Sequence, residues 1–221
     1  PYRDLAAHDL ATEAMTGVLS LNRGGDGKPA IPALANADML ASMMTLAGIL
    51  MALYRRKETG KGDFLDMAMA DCLLACLPNN MGVAMTERRQ PDLKSERALG
   101  GNALYGIYET KDGDFVVLAG QELKFAKNLL EPLGRADLVE LCKLPPGPGQ
   151  DPLRAFLQET FRTKTKAQWI EWFRGRDVAF APMRTLPGAA RFMHATMEVE
   201  SMPPDRKTPR GTSDIRRRLT A

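Results

Sequence analysis

Apolar residues recur at helix-like spacing around Leu5, Leu10, Met15 and Leu19 and then give way to the turn-rich run from Asn22 to Pro29. The densest apolar stretch follows, from Met39 to Tyr54. Asp38 stands immediately before it, where a carboxylate suits the N-cap, and Arg55, Arg56 and Lys57 close it with the charge a helix C-terminus favours. The run is shorter than a bilayer span and contains Ser42 and Thr45, so it is expected to be a buried core helix. Beyond the break at Thr59-Gly60-Lys61-Gly62, a second helix is expected from Phe64 to Leu77. There Leu65, Met69, Cys72, Leu73 and Cys76 would share one face and Pro78 would end the helix, giving a packed helical hairpin.

The pattern changes after the polar, proline-interrupted segment 86–95, which reads as a linker. Residues 104–109 and 115–118 are rich in aromatic and β-branched side chains and flank the turn Lys111-Asp112-Gly113, a β-hairpin signature. A helix from Glu122 to about Leu133 ends at Gly134, and another starts at Asp151-Pro152, with Asp151 as cap. Thr165 and Gln168 form a capping box ahead of Trp169 and Phe173, and residues 178–181 read as a short strand. The predicted fold class is α/β, organised as part of a larger domain over 1–93, a smaller α/β domain over 94–188, and a linker with a basic tail over 189–221. Arg216, Arg217 and Arg218 lie in that tail, which is expected to be solvated.

Composition narrows the function classes. In 221 residues, 44% are hydrophobic and 26% charged, as in ordinary globular proteins. A net charge of +3 falls short of a nucleic-acid-binding footprint but suits a phosphate-bearing small molecule. Three cysteines argue against a secreted disulfide framework and for a reducing cytoplasm. Cys72 and Cys76 lie four apart, but no Cys or His pair elsewhere completes a tetrahedral metal site, so no metal is expected. The glycine-rich run 22–29 lacks the spacing of a phosphate-binding loop, since its lysine comes early and Pro29 stands where Ser or Thr is needed. No signal peptide is visible, and a start at Pro1 suggests a missing N-terminal piece.

Taken one at a time, the candidate chemical residues have structural explanations. His8 would be a partly exposed helix-start residue beside an acid, Asp38 an N-cap and Glu122 a first-turn acid, and His194 has no obvious partner.

Together they resemble a family. Pro1-Tyr2-Arg3-Asp4, His8-Asp9-Leu10 and Thr16-Gly17-Val18-Leu19 are similar to a segment of the α-methylacyl-CoA racemases and the related family III CoA-transferases, the CaiB/BaiF-like superfamily. Ala37-Asp38-Met39 with Thr59-Gly60-Lys61-Gly62-Asp63-Phe64-Leu65-Asp66 resembles its most recognisable block. Gly100-Gly101-Asn102-Ala103-Leu104-Tyr105, Asp112-Gly113, Gly120-Gln121-Glu122 and Phe125 resemble its small domain. The resemblance covers about residues 1 to 190 and implies a helical hairpin from a Rossmann-like large domain plus the small domain. The family's N-terminal portion is not recognisable, and the basic tail does not resemble its C-terminal return.

The resemblance implies that His8 and Asp38 are the two acid–base groups of a 2-methylacyl-CoA racemase or epimerase, with Glu122 supporting the histidine. Inverting a carbon alpha to a thioester requires proton removal on one face and return on the other, and helix N-terminal amides near Asp38 would stabilise the oxyanion. Its alternative is a family III CoA-transferase in which Asp38 attacks the acyl-CoA carbonyl as a covalent nucleophile. His8 together with Glu122 favours the racemase, because many of the transferases lack that histidine. A noncatalytic acyl-CoA-binding protein is the third reading. Met39 and Met43, from a chain with thirteen methionines, offer an adaptable apolar surface for an acyl chain. Arg55 and Lys61 are candidates for the CoA phosphates, and Tyr105 is a further substrate-binding candidate. No cofactor is expected beyond the CoA of the substrate. The expected partners are an acyl-CoA and either an interlocked second copy or a companion chain supplying the missing half, with neither nucleic acid nor membrane.

Overall fold

A computed structural model describes residues 6–24 and 26–192. Expectations resting on Pro1-Tyr2-Arg3-Asp4, Leu5, Gly25, His194 and the basic tail lie outside these residues. The fold is mixed α/β and divides into two compact units, residues 1–91 and 92–221.

The first unit is helical, with α1 Asp9–Met15, α2 Asn36–Thr59, α3 Met69–Ala75 and α4 Pro78–Thr86. Helix α2 begins earlier than the apolar run suggests. Ala35 occupies the cap position and Asp38 lies in the first turn, so Asp38 is not the N-cap. The second predicted helix is also shorter. Residues 64–68 are not helical, and Pro78, expected to end that helix, instead opens α4 from its first turn, where its missing N–H costs nothing.

The expectation of a buried core helix is overturned. Along α2 only Ala37 is buried. Helix α1 packs on it, α3 packs on it, and Leu65 lies against Gly48. Two seven-residue helices cannot surround a helix of 24 residues. What remains open is ordered: Met39, Met43, Leu46, Leu50 and Leu53 follow one another at spacings of four, three, four and three, and all are between 51% and 68% exposed. That four-three spacing is the heptad-like repeat of a helical seam. By length and composition α2 is also apolar enough to cross a membrane.

The second unit closes its own core. Strands β1 Tyr105–Glu109, β2 Phe115–Ala119 and β3 Phe180–Pro182 form an antiparallel sheet in the order β1-β2-β3, with Tyr105 opposite Ala119 and Val117 opposite both Ile107 and Ala181. Alternation sends Tyr108, Val116 and Leu118 inward. Helices α5 Leu123–Leu130, α6 Asp151–Phe161 and α7 Lys166–Phe173 complete the unit. Phe161 is the hub of its core, stacked on Tyr108 at 5.0 Å and met edge-on by Trp169 at 4.9 Å between ring centroids. The predicted hairpin is present, and its turn is fastened by the Thr110 hydroxyl donating to Asp112 at 2.6 Å. The capping box at Thr165 and Gln168 forms as the sequence suggests. At α6, Gln150 takes the cap position and Asp151 is already helical.

Two polar features lock this unit. Gln150 is fully buried, yet its side-chain oxygen accepts from the Ala103 N–H at 2.9 Å and its amide donates to the Leu144 carbonyl at 2.9 Å. At Gly101 a Cβ would lie 2.7 Å from the Glu96 carbonyl oxygen, an approach only glycine permits. The Gly101 carbonyl accepts from both the Gly147 N–H and the Arg154 guanidinium.

Gln150→Ala strands the Ala103 N–H in the interior and removes the donor to the Leu144 carbonyl, and a buried orphan of this kind costs about 1–3 kcal/mol. Trp169 and Trp172 are the chain's two tryptophans and both belong to this unit. The loss is therefore expected as an earlier urea midpoint in tryptophan fluorescence.

Candidate functional site

The N-terminus of α2 is where the first unit brings its polar groups together. Asp9 and Glu13 are four residues apart on α1, a spacing that puts both on one helix face. The Asp9 carboxylate accepts the Ala37 N–H at 2.7 Å and the Asp38 N–H at 3.2 Å, so one Oδ1 caps α2 from another helix. Glu13 is 1% exposed. Its Oε1 accepts from the Asn36 side-chain amide at 2.9 Å, and its Oε2 is buried without a partner among the described residues. An acid suits this place, because the free N–H groups of a long helix concentrate positive potential at its start.

His8 is the cap residue of α1. Its carbonyl accepts from the Thr12 N–H at 2.9 Å, while its imidazole makes no capping bond and is exposed. Asp38 is likewise exposed, its N–H taken by Asp9 and its carbonyl accepting from the Ser42 hydroxyl at 2.7 Å. His8 thus adjoins in sequence the residue that holds the backbone of Asp38. The dock of α1 on α2 places both at one end of the unit.

The expected use of α2 amides to stabilise an oxyanion requires correction. Asp9 already occupies the N–H groups of Ala37 and Asp38, and the Met39 N–H bonds to the Ala35 carbonyl. Donors committed to a carboxylate are not open to a developing enolate.

The other predicted residues are dispersed. Met39 and Met43 lie on the open stripe of α2. Arg55 pairs with Asp63 at 2.6 Å on the surface, and Lys61 lies in the exposed loop beyond α2 with its N–H on the Thr59 hydroxyl. Glu122 belongs to the second unit. It is the cap residue of α5, exposed and without a side-chain capping bond. Tyr105, also in that unit, walls a cavity of about 520 Å³. Of the thiols, Cys72 is buried, Cys142 is half-buried and Cys76 is exposed.

Sequence reasoning missed Asp9 and Glu13 as the groups that organise this end of the unit. The signal was their spacing on a helix start next to His8. What it did not reveal was the target, a helix N-terminus 28 residues away.

A family model, CoA-transferase family III, matches residues 1–215. Mouse α-methylacyl-CoA racemase is 30% identical over 200 residues, covering 87% of this chain and 51% of the racemase. Mouse succinyl-CoA:glutarate CoA-transferase is 26% identical over 190 residues, covering 84% of this chain and 43% of the transferase. Among solved structures, a CaiB/BaiF family protein from Brucella suis superposes with a TM-score of 0.67 at 24% identity, over 91% of this chain and 53% of that one, a likeness of fold. The chain spans about half the length of the curated relatives it matches.

Asp9→Ala removes the acceptor for two N–H groups of α2, and loss of such a cap typically costs about 0.5–2 kcal/mol. Faster amide hydrogen exchange at Ala37 and Asp38, with a lower ellipticity at 222 nm, is the expected outcome. Asp9→Asn retains an acceptor oxygen and should recover part of both.

Proposed function

The chain belongs to CoA-transferase family III, and from that premise we propose that it acts on acyl-coenzyme A thioesters as a 2-methylacyl-CoA racemase or epimerase. One observation supports this above the others: Asp9 ties the start of α1 to the start of α2, and so gathers an uncommitted imidazole and an exposed carboxylate at one end of one unit. In the proposed reaction one of the two, in its basic form, takes the α-proton from one face of the thioester. The other, protonated, delivers a proton to the opposite face, and the roles reverse for the other enantiomer. Glu122 is assigned support of His8 on the family likeness alone. Coenzyme A enters as part of the substrate, with no further cofactor.

A second reading rests on the same Asp38. Its carboxylate accepts no hydrogen bond among the described residues, which suits a nucleophile as well as an acid–base group, and relatives named as transferases match at similar identity. There the carboxylate would attack the acyl carbonyl, expel CoA thiolate and carry the acyl group as a mixed anhydride.

The same proposal covers the exposed stripe of α2. A run of apolar residues open to water along so much of a helix is an interaction surface, and its four-three spacing suits a helical partner. We assign it to protein, supplied by an interlocked second copy or by a companion chain carrying the half of the fold that these relatives have in addition.

Two outcomes are expected. In deuterated water, a chiral 2-methylacyl-CoA gains deuterium at the α-carbon as it inverts, and Asp38→Asn and His8→Ala each slow this by about 10²- to 10⁴-fold. CoA exchange into a free acid without α-deuterium, lost in Asp38→Asn and untouched in His8→Ala, would establish the transferase. For the stripe, Leu46→Glu with Leu50→Glu should abolish the association seen by light scattering, for the chain alone or with its companion. A wild-type chain that stays monomeric, binds no companion and takes up no hydrophobic dye would remove that assignment.

A further inference from the structure

Glu13 is a buried acid that neither proton exchange nor acyl transfer uses. It is 1% exposed and sits on α1, which packs against α2. Its Oε1 accepts from the Asn36 side-chain amide at 2.9 Å, and its Oε2 is buried without a partner among the described residues. Stability alone does not call for such a residue. A leucine or methionine of similar size would fill the same space and leave no acceptor unmet. What a carboxylate adds is a directional hold on one particular group, and that group is the side chain of the first residue of α2.

Two carboxylates on one face of α1 therefore grip three successive residues of α2. Asp9 takes backbone, the N–H groups of Ala37 and Asp38. Those N–H groups point along the helix axis, so the bonds fix where α2 begins and constrain its rotation about that axis only weakly. Glu13 takes a side chain, which projects away from the axis, so its bond sets the rotation. Ala37 is buried as well, but its methyl group makes no directional bond. At 3.6 residues per turn, side chains two apart project about 200° from one another, on nearly opposite sides of a helix. Holding the half-buried Asn36 against Glu13 thus turns Asp38 outward, and Asp38 is exposed.

We propose that Glu13 is a positioning residue for Asp38: through Asn36 it sets the rotation of the first turn of α2, and with it the direction in which the Asp38 carboxylate is presented to the thioester. The inference rests on the reading of Asp38 as a reacting group. It holds for an acid–base carboxylate and for a nucleophile alike, since either must be aimed at its atom.

The test uses the full-length chain, together with its companion if it binds one. Glu13→Leu removes the hold and the unmet acceptor together, so the unfolding midpoint in ellipticity at 222 nm should be unchanged or later. Amide exchange at Ala37 and Asp38, still held by Asp9, should stay slow. The kcat should nonetheless fall about tenfold to a hundredfold with KM little changed, the effect of a misaimed group. Glu13→Gln keeps an acceptor oxygen for Asn36 and should restore most of the rate. Asn36→Ala, at a half-buried position that tolerates truncation, should reproduce the loss. The double variant Glu13→Leu with Asn36→Ala should be no slower than either single one, because both break the same link. The rate is read as α-deuterium incorporation or, if CoA is exchanged instead, as that exchange.

A second readout needs no reaction. The carboxyl carbon chemical shift of Asp38 should move in Glu13→Leu and in Asn36→Ala and return in Glu13→Gln, a pattern that loss of the Glu13 charge does not produce. If the wild-type chain performs neither reaction, the reading of Asp38 as a reacting group falls, and an Asp38 shift unmoved by Asn36→Ala then overturns the positioning role as well. Wild-type kcat and Asp38 shift in a folded Glu13→Leu overturn the proposal. So does a Glu13→Gln variant as slow as Glu13→Leu, or a double variant whose loss is the product of the two single losses.

Discussion

The bond pair from Asp9 to the first turn of α2 is the constraint on which the first unit depends. A helix of 24 residues presents several unsatisfied N–H groups at its start, and the chain answers them with a carboxylate from another helix rather than from the residue before the turn. That choice fixes how α1 docks, carries Glu13 onto Asn36, and sets His8 at the same end as Asp38. It also commits the amides that would otherwise be the natural oxyanion donors. Positioning and electrostatics are thus coupled: the group that assembles the candidate site also occupies its nearest source of positive potential.

The two units solve the burial problem in opposite ways. In the second, three strands and the helices around them surround Phe161, Trp169 and Phe173, and even the buried Gln150 is satisfied at both ends. In the first, only Ala37, Cys72 and Leu73 among the hydrophobic side chains of the described residues are buried outright, while the main apolar helix faces outward. An apolar stripe of that length open to water has the character of an interaction surface rather than of a core.

Legibility followed the range of the interaction. The β-hairpin could be read because an Asp-Gly turn between β-branched and aromatic runs dictates local pairing, and the capping box because its bonds span three residues. His8 and Asp38 could be singled out from motifs taken together, not from the chemistry of either residue alone. By contrast, the start of α2 was misplaced because an aspartate beside an apolar run satisfies the local rule for a cap, and the local rule cannot see a competing carboxylate 28 residues earlier.

The sequence by itself determined the family, the α/β class, the hairpin and the caps, because each is written in side-chain patterns within a few turns or strands of chain. Only the tertiary structure decided which carboxylate holds α2, which methionines and leucines stay open to water, and which cavity Tyr105 faces. Those outcomes depend on what one element finds when another folds against it. A side chain's propensity is local, but its burial and its partners belong to the whole arrangement.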